Sequence, residues 1–202
     1  MIKKGIIIAT LIISSSILFA QDALQSAFEQ SYAQERVGNY IGAIQSMEKA
    51  YTAKSYECTI RIAYLKYMSG LYVESTVYYQ KAINLMPYAL EPRLGYVYPA
   101  AALGKWDDVV TQYTSILKID PKNSSVNYKL GVIYYNRKKY TQAYSLFEKV
   151  VNAYPIDYDG LLMYAWTSYR LGKLPQAKML FKKVLLISPS DKSALEGLAL
   201  IK

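Results

Sequence analysis

The sequence predicts an all-α fold that is built from stacked pairs of antiparallel helices. Two observations set the period. Four prolines follow one another at intervals of 34 residues, namely Pro87, Pro121, Pro155 and Pro189. Three glycines keep the same register, Gly70, Gly104 and Gly172, and Lys138 stands in that place in the remaining unit. Between these markers, apolar residues recur with the period of an amphipathic helix. A fixed period of this length indicates a repeat protein.

The repeats follow from this spacing. If each proline is the thirty-second residue of its unit, four units begin at Tyr56, Leu90, Ser124 and Tyr158, and a less regular one begins near Leu24. The predicted bounds are 24–55, 56–89, 90–123, 124–157 and 158–189, within a solenoid that spans residues 21–202. Residues 190–202 are expected to form a capping helix with Leu195, Leu198 and Ala199 turned inward. One helix pair has too little apolar surface to be stable alone, so neighbouring pairs must stack.

Capping and helix-breaking residues support these bounds. Five residues stand where first helices should be capped, namely Asn123, Ser124, Asp157, Ser190 and Asp191. Pro175 is expected to be the first residue of a second helix, and Asp107 or Asp108 to cap the equivalent helix. Pro99 falls inside a first helix, where it removes a backbone hydrogen bond, so a local distortion is expected there.

The unit at Ser124 carries a recognisable motif. It reads Leu130-Gly131, then Tyr134, Tyr140, Ala143, Phe147 and Pro155. This pattern resembles the tetratricopeptide repeat, although Asn127 stands where that family usually has Trp. The resemblance extends over about residues 24 to 189. It implies a right-handed superhelical solenoid of about five repeats, whose first helices line a concave groove that binds other proteins.

The N-terminus predicts export. Lys3 and Lys4 precede an apolar run, and Ala20 follows it, which is the pattern of a signal peptide at residues 1–20 that is cleaved after Ala20. The alternative is a leader that is retained as a membrane anchor. The only cysteine, Cys58, lies far from the cleavage region, which excludes a lipid anchor there and an intramolecular disulfide. We expect the mature chain in the periplasm of a bacterium or associated with its outer membrane, that is, in the cell envelope.

Fifteen of the 22 tyrosines fall into two groups. Eight occupy packing places of the repeat, namely Tyr40, Tyr72, Tyr79, Tyr96, Tyr113, Tyr134, Tyr140 and Tyr164. Another group of rings, together with nearby polar residues, points to the groove side. The predicted peptide-binding groove consists of Phe28, Tyr32, Arg36, Tyr64, Tyr67, Tyr98, Tyr128, Tyr135, Asn136, Trp166, Tyr169 and Arg170. The alternative is that these rings only pack against one another. Tyr135 is the ring we select for binding, and Tyr144 is expected to point outward.

The charge is concentrated in the C-terminal half. The formal net charge is +9, and removal of Lys3 and Lys4 leaves 9 − 2 = +7. Between Ser124 and Pro189 the sequence has ten basic residues and only three acidic ones. The predicted basic patch is Arg137, Lys138, Lys139, Lys178, Lys182 and Lys183. It would attract an anionic membrane or envelope surface, or an acidic protein, whereas the alternative is a solvated face that aids solubility.

Several functions are disfavoured by what the sequence lacks. The chain has no histidine and a single cysteine, and it has no phosphate-binding glycine loop. We therefore predict no catalytic residues, metal or cofactor, no small-molecule substrate and no enzyme activity. Export also disfavours a nucleic acid partner. The predicted function is a protein-interaction scaffold that binds a peptide segment or helix. The alternative is an accessory or regulatory subunit whose basic half contacts an anionic surface or acidic partner.

Overall fold

The computed structural model describes residues 21–201, which form eleven α-helices and no strand. This confirms the predicted all-α fold. The predicted signal peptide and its cleavage site after Ala20 lie outside the described residues. Within residues 21–201, no helix combines the length and the apolar character that crossing a membrane requires.

Successive helices are separated by short turns. Helix α1 covers residues 21–36. The others are α2 Tyr40–Ala50, α3 Tyr56–Met68, α4 Tyr72–Leu85, α5 Glu91–Ala102, α6 Trp106–Ile119, α7 Ser124–Asn136, α8 Tyr140–Ala153, α9 Tyr158–Arg170, α10 Leu174–Ile187 and α11 Lys192–Leu200. Because only three residues join the two helices of a repeat, as at 69–71, the pair must run antiparallel.

The chain divides into two compact units, and the boundary lies between Val109 and Val110, inside α6. Unit 1 contains α1 to α5. Its core includes Ala43, Met47, Ile62 and Leu65, which are fully buried. Unit 2 contains α7 to α11. Its core includes two pairs of residues at the repeat spacing, Ala143 with Ala177 and Phe147 with Phe181, together with Ala165 and Val184.

The turn inside each repeat depends on one residue with positive φ. Gly38, Gly70, Gly104 and Gly172 have φ between 70° and 81°, and Lys138 has φ 57°. This left-handed conformation ends the first helix, and the second helix begins two residues later, as Tyr72 follows Gly70. Glycine adopts it without strain, whereas a residue with a Cβ atom does not. Lys138 is therefore a strained exception in the middle of an otherwise regular series.

Three of the predicted caps are confirmed. The side chains of Asn123, Asp157 and Asp191 accept hydrogen bonds from backbone N–H groups three residues later, at 3.1, 2.7 and 2.7 Å. Ser124 and Ser190 do not cap, because each stands next to the residue that does.

The predictions for the starts of the second helices were wrong by one to three residues. Asp107 and Asp108 lie within the first turn of α6, and Pro175 is the second residue of α10 rather than the first. The left-handed turn residue sets the start of the helix, so the helix begins before these side chains.

Helix α5 continues through Pro99, which is buried, and the Leu103 N–H donates to the Pro99 carbonyl oxygen at 3.0 Å.

An aromatic ring at a fixed place in each second helix fills the space between helices. Tyr79, Tyr113, Phe147 and Phe181 are spaced 34 residues apart, and all are at most 6% exposed. Asn127, which replaces the usual Trp, is also buried. Its amide nitrogen donates to the carbonyl oxygens of Asn123 and Pro121, at 2.9 and 3.1 Å. The family's apolar side chain is thus replaced here by a hydrogen-bonded one.

The inward face of the C-terminal helix differs from the prediction. In α11, Ala194 and Gly197 are buried, and Ile201 follows them on the same face. Leu195 and Ala199 are exposed, so the prediction was wrong for these two residues, whereas the half-buried Leu198 packs against the core of unit 2 as predicted. The ring of Phe181 lies directly against Gly197, and a side chain at that place would collide with it. This contact rotates the helix away from the expected orientation.

We predict that Lys138→Gly stabilises the protein by about 0.5–1 kcal/mol. Glycine removes the left-handed strain of about 1–2 kcal/mol but adds unfolded-state entropy. Urea unfolding followed by circular dichroism measures the difference. The matched control is Lys139→Gly, because Lys139 has an ordinary φ of −85°. An equal gain in both variants would contradict the explanation.

Candidate functional site

An open cleft lies on the first helices of unit 1. Its volume is about 780 Å³, and it is lined by α1, α3 and α5, with Tyr79 of α4 between them. Each helix contributes residues four apart, which lie on one helical face. These are Leu24, Phe28 and Tyr32 on α1, Tyr56, Ile60 and Tyr64 on α3, and Glu91 and Gly95 on α5. The cleft therefore contains three of the predicted groove residues, namely Phe28, Tyr32 and Tyr64.

A buried arginine holds one end of this cleft together. Arg61 is 7% exposed, and its Nη2 atom lies 2.6 Å from Glu35 Oε2. Its Nε donates to Ser31 Oγ at 3.2 Å, and its guanidinium carbon lies 3.9 Å from the centroid of the Tyr32 ring. Nη2 has no aligned hydrogen bond, so the close contact with Glu35 is an ion pair. The Tyr64 hydroxyl donates to the other Glu35 oxygen at 2.9 Å.

The other end of the cleft is acidic. The Tyr56 hydroxyl donates to Glu91 Oε2 at 3.1 Å, and Glu57 accepts from Ser55 Oγ at 3.3 Å. Burial, together with the charge and hydrogen bond of Glu91, raises the pKa of Tyr56 to about 12. Burial likewise raises the pKa of Tyr64, with its hydrogen bond to Glu35 as the second cause. Both phenols therefore remain neutral hydrogen-bond donors at physiological pH.

The remaining predicted groove residues of unit 1 do not line the cleft. The rings of Tyr67 and Tyr98 pack on each other with centroids 5.8 Å apart, and Tyr67 also packs on Tyr72. Arg36 is exposed beyond the lining residues. These rings join α3 to α5, which is the packing alternative that the sequence left open.

In unit 2, most of the predicted groove rings contact other side chains. Tyr135 meets Tyr140 edge-on at 5.4 Å, and its hydrogen bond raises the pKa of Arg170. The Trp166 ring packs edge-on against Phe181 at 5.0 Å, and its Nε1 donates to Ser193 Oγ at 2.8 Å. The sequence predicted that Tyr135 and Trp166 line a binding groove, but in the structure both rings pack against other side chains.

Three further predicted residues complete this part of the chain. Tyr169 packs edge-on against Trp166 at 5.8 Å, and Asn136 is exposed at the end of α7. Tyr128 lines a small cavity of about 260 Å³ together with Asp157 and Asp159. Burial raises the pKa of Tyr128, and the charges of these two carboxylates raise it further. This cavity is about a third the size of the cleft in unit 1.

The sequence predicted that Tyr144 points outward, but the ring packs against other side chains instead. Its ring lies 4.8 Å from that of Tyr164, and Lys173 Nζ lies 3.7 Å from its centroid. Its hydroxyl donates to Gln176 Oε1 at 2.9 Å. Burial would raise the pKa of Tyr144, but hydrogen bonds with Tyr164, Gln176 and Lys173 outweigh it and lower the pKa. Contacts with Tyr164, Lys173 and Gln176 therefore hold the Tyr144 ring against α9 and the start of α10.

The predicted basic patch occupies two places. Arg137, Lys138 and Lys139 lie in the turn between α7 and α8. Lys178, Lys182 and Lys183 lie on the outer side of α10, where they line a shallow depression of about 570 Å³ with Pro175, Met179 and Leu186. None of the first three residues lines that depression. Of the predicted patch, the α10 residues alone form a surface that combines charge with apolar side chains.

Comparison with known proteins identifies the repeat. The family model of the tetratricopeptide repeat matches residues 125–155. A crystal structure of a tetratricopeptide repeat protein from Parabacteroides merdae has TM-score 0.73 at 18% identity, covering 89% of this chain and 72% of that one. Residues 125–155 therefore match a tetratricopeptide repeat, and the chain has the fold of the tetratricopeptide repeat structure. The predicted repeat is thereby confirmed for residues 125–155, and the predicted helical repeat fold is confirmed by the similarity to this structure.

Structures of the protein MamA have the same tetratricopeptide repeat fold. One has TM-score 0.69 at 16% identity, covering 82% of this chain and 91% of that one. Another has TM-score 0.69 at 17% identity, covering 92% and 98%. Among curated proteins, none matches this sequence. At these identities the similarity concerns the fold alone.

Sequence reasoning missed the charged residues of the cleft in unit 1. Arg61, Glu35, Glu57 and Glu91 were not predicted, although all four line it. A signal was present for Arg61, because it is the one charge within the apolar stretch from Cys58 to Leu65. A charge in such a position must be paired when the helix is buried. The sequence did not identify Glu35 as the partner of Arg61, because Glu35 belongs to the preceding repeat.

We predict that Glu35→Gln destabilises the protein by about 2–3 kcal/mol, because it leaves the buried Arg61 charge without its counterion. Thermal and urea unfolding measure this effect. Glu29→Gln on the same helix is the matched control and should change stability by less than about 0.5 kcal/mol, since Glu29 is exposed. If both variants unfold alike, the ion pair does not stabilise unit 1.

Proposed function

We propose that this protein is a non-enzymatic scaffold that holds a peptide segment or helix of a partner protein in the cleft of unit 1. The observation that carries this proposal is the open aromatic cleft of about 780 Å³ on the first helices. Its volume is in the range of clefts that bind ligands.

The side chains of the cleft suit protein recognition. Tyr32 is 50% exposed, and Phe28 and Tyr64 are half-buried beside it. Aromatic rings of this kind offer a large contact area and lose little side-chain entropy on binding. Arg61 and its partners fix the positions of Tyr32 and Tyr64, so the cleft is preorganised before a ligand arrives.

The proposal narrows the site relative to the sequence prediction. Tyr67 and Tyr98 pack on each other, and Tyr135 and Trp166 pack within unit 2. We therefore assign binding to Phe28, Tyr32 and Tyr64, and we treat the other predicted rings as part of the helix packing.

We also propose that the scaffold acts in the envelope of a bacterium. The support is the N-terminal pattern of Lys3 and Lys4, an apolar run and Ala20, which is typical of a cleaved signal peptide. A partner would then be an exported protein or the periplasmic part of a membrane protein.

We predict that Phe28→Ala combined with Tyr32→Ala reduces partner capture at least tenfold, because aromatic anchors carry most of the binding energy. Capture is measured by crosslinking and pull-down from the envelope fraction, with thermal unfolding as the test of folding. Tyr88→Ala is the matched control, because Tyr88 is 84% exposed and lies outside the cleft. Unchanged capture by the double variant would refute the assignment of the site.

A second candidate function rests on the outer surface of α10. Leu186 is 83% exposed and Met179 is 52% exposed, and both lie beside Lys178, Lys182 and Lys183. No carboxylate lines this depression. Apolar side chains flanked by lysines favour contact with an anionic surface. In this alternative, the protein is an accessory or regulatory subunit that contacts an anionic envelope surface through α10.

We predict that reversing Lys178, Lys182 and Lys183 to Glu lowers binding to vesicles that contain phosphatidylglycerol by on the order of a hundredfold, because each lysine near such a surface contributes about 1 kcal/mol. Cosedimentation measures the binding. The matched control reverses Lys138, Lys139 and Lys149, which lie outside this depression. Equal losses in both variants would indicate a general charge effect, and no loss in either would refute the alternative.

A further inference from the structure

The cleft of unit 1 is acidic although the chain as a whole is basic. Three carboxylates line it, Glu35, Glu57 and Glu91, and Arg61 is the one basic residue among the lining residues. The lining therefore has a formal charge of 1 − 3 = −2, whereas the whole chain has +9. This local reversal of sign constrains what the cleft binds.

We propose that the segment bound in this cleft presents a lysine or arginine side chain to Glu57 and Glu91. This inference rests on the proposed scaffold function and specifies its partner, a peptide segment that carries a cationic side chain next to apolar ones. Glu57 lies in the first turn of α3 and Glu91 is the first residue of α5, so two helices contribute to the acidic end.

Arg61 does not offset this charge for a ligand. Its guanidinium is buried against Glu35 and Ser31 and lies over the Tyr32 ring. Glu35 in turn uses one oxygen for Arg61 and the other for the Tyr64 hydroxyl. The Arg61–Glu35 pair is thus internally neutral. An acidic segment would find no available cation in the lining, and it would meet the two remaining carboxylates instead.

Glu57 and Glu91 retain the capacity to bind a cation. Both are exposed, and Glu57 accepts a hydrogen bond from Ser55 while Glu91 accepts one from Tyr56. A carboxylate has about four acceptor sites, so further sites stay open to a ligand. Tyr56 keeps its proton, which preserves its role as a donor that orients the Glu91 carboxylate.

The wall between the two ends suits the apolar stem of such a side chain. Phe28, Ile60 and Leu24 line the cleft with apolar surface, and lysine and arginine bury their methylene groups along surfaces of this kind. The protein already makes one contact of this type, since the Arg61 guanidinium lies 3.9 Å from the Tyr32 ring centroid. Aromatic faces in this cleft therefore accept a cation.

Selection of phage-displayed random short peptides on the full chain tests the inference. We expect enrichment of peptides with lysine or arginine beside apolar residues. A selected peptide, synthesised with a fluorophore, should then bind Glu57→Gln/Glu91→Gln about tenfold more weakly by anisotropy. The matched control is Glu48→Gln/Glu74→Gln, which removes two exposed carboxylates outside the cleft and should leave the affinity unchanged.

The outcomes separate this inference from the proposed function. If peptides are selected and lose binding in Phe28→Ala/Tyr32→Ala but not in Glu57→Gln/Glu91→Gln, the cleft binds peptides and the cationic preference is wrong. Enrichment of acidic peptides would likewise overturn the cationic preference. If no peptide is enriched, or if neither double variant weakens binding while both remain folded by circular dichroism, the scaffold function assigned to this cleft also fails.

Discussion

The fold depends on the contact between an aromatic ring of a second helix and the bare backbone of a first helix. The pairs are Tyr79 on Gly95, Phe147 on Gly131 and Phe181 on Gly197. A Cβ atom on these glycines would stand 2.2, 2.7 and 2.3 Å from the nearest ring atom, which is closer than nonbonded carbon atoms approach. The rings therefore fill space that only glycine leaves open. Two of the three contacts cross from one repeat to the next and so hold neighbouring repeats together.

These contacts also decide which first-helix residues remain available to a ligand. In α3, Ile62 and Leu65 turn into the core, while Ile60 and Tyr64 lie on the opposite side and line the cleft. Tyr79 and Gly95 both line the cleft, so the packing of the Tyr79 ring on α5 fixes one wall of it. The cleft is thus a by-product of repeat stacking, and its rigidity comes from the same packing that stabilises the fold.

The tyrosines show how one residue type serves several purposes. Tyr79 fills the space between α4 and α5, Tyr98 packs on Tyr67, and Tyr32 remains half exposed in the cleft. What distinguishes them is the partner that the tertiary structure supplies, above all for the hydroxyl group. Tyr64 reaches Glu35, which is 29 residues away, and Tyr158 reaches Asp191, which is 33 residues away. The Tyr158 hydroxyl thereby joins α9 to the cap of α11, whereas the Tyr64 hydroxyl holds Glu35 and leaves part of its ring to line the cleft.

The sequence alone determined the all-α fold, the repeat and three helix caps, because a 34-residue period, turn glycines and capping side chains are local features. It also selected Phe28, Tyr32 and Tyr64 by their helical spacing. Only the tertiary structure decided that Tyr135 and Trp166 pack, that α11 turns Gly197 inward, and that the cleft is acidic. The physical reason is that these properties depend on contacts between repeats, and residues such as Glu35 and Arg61, or Tyr56 and Glu91, meet across sequence separations that no local pattern encodes.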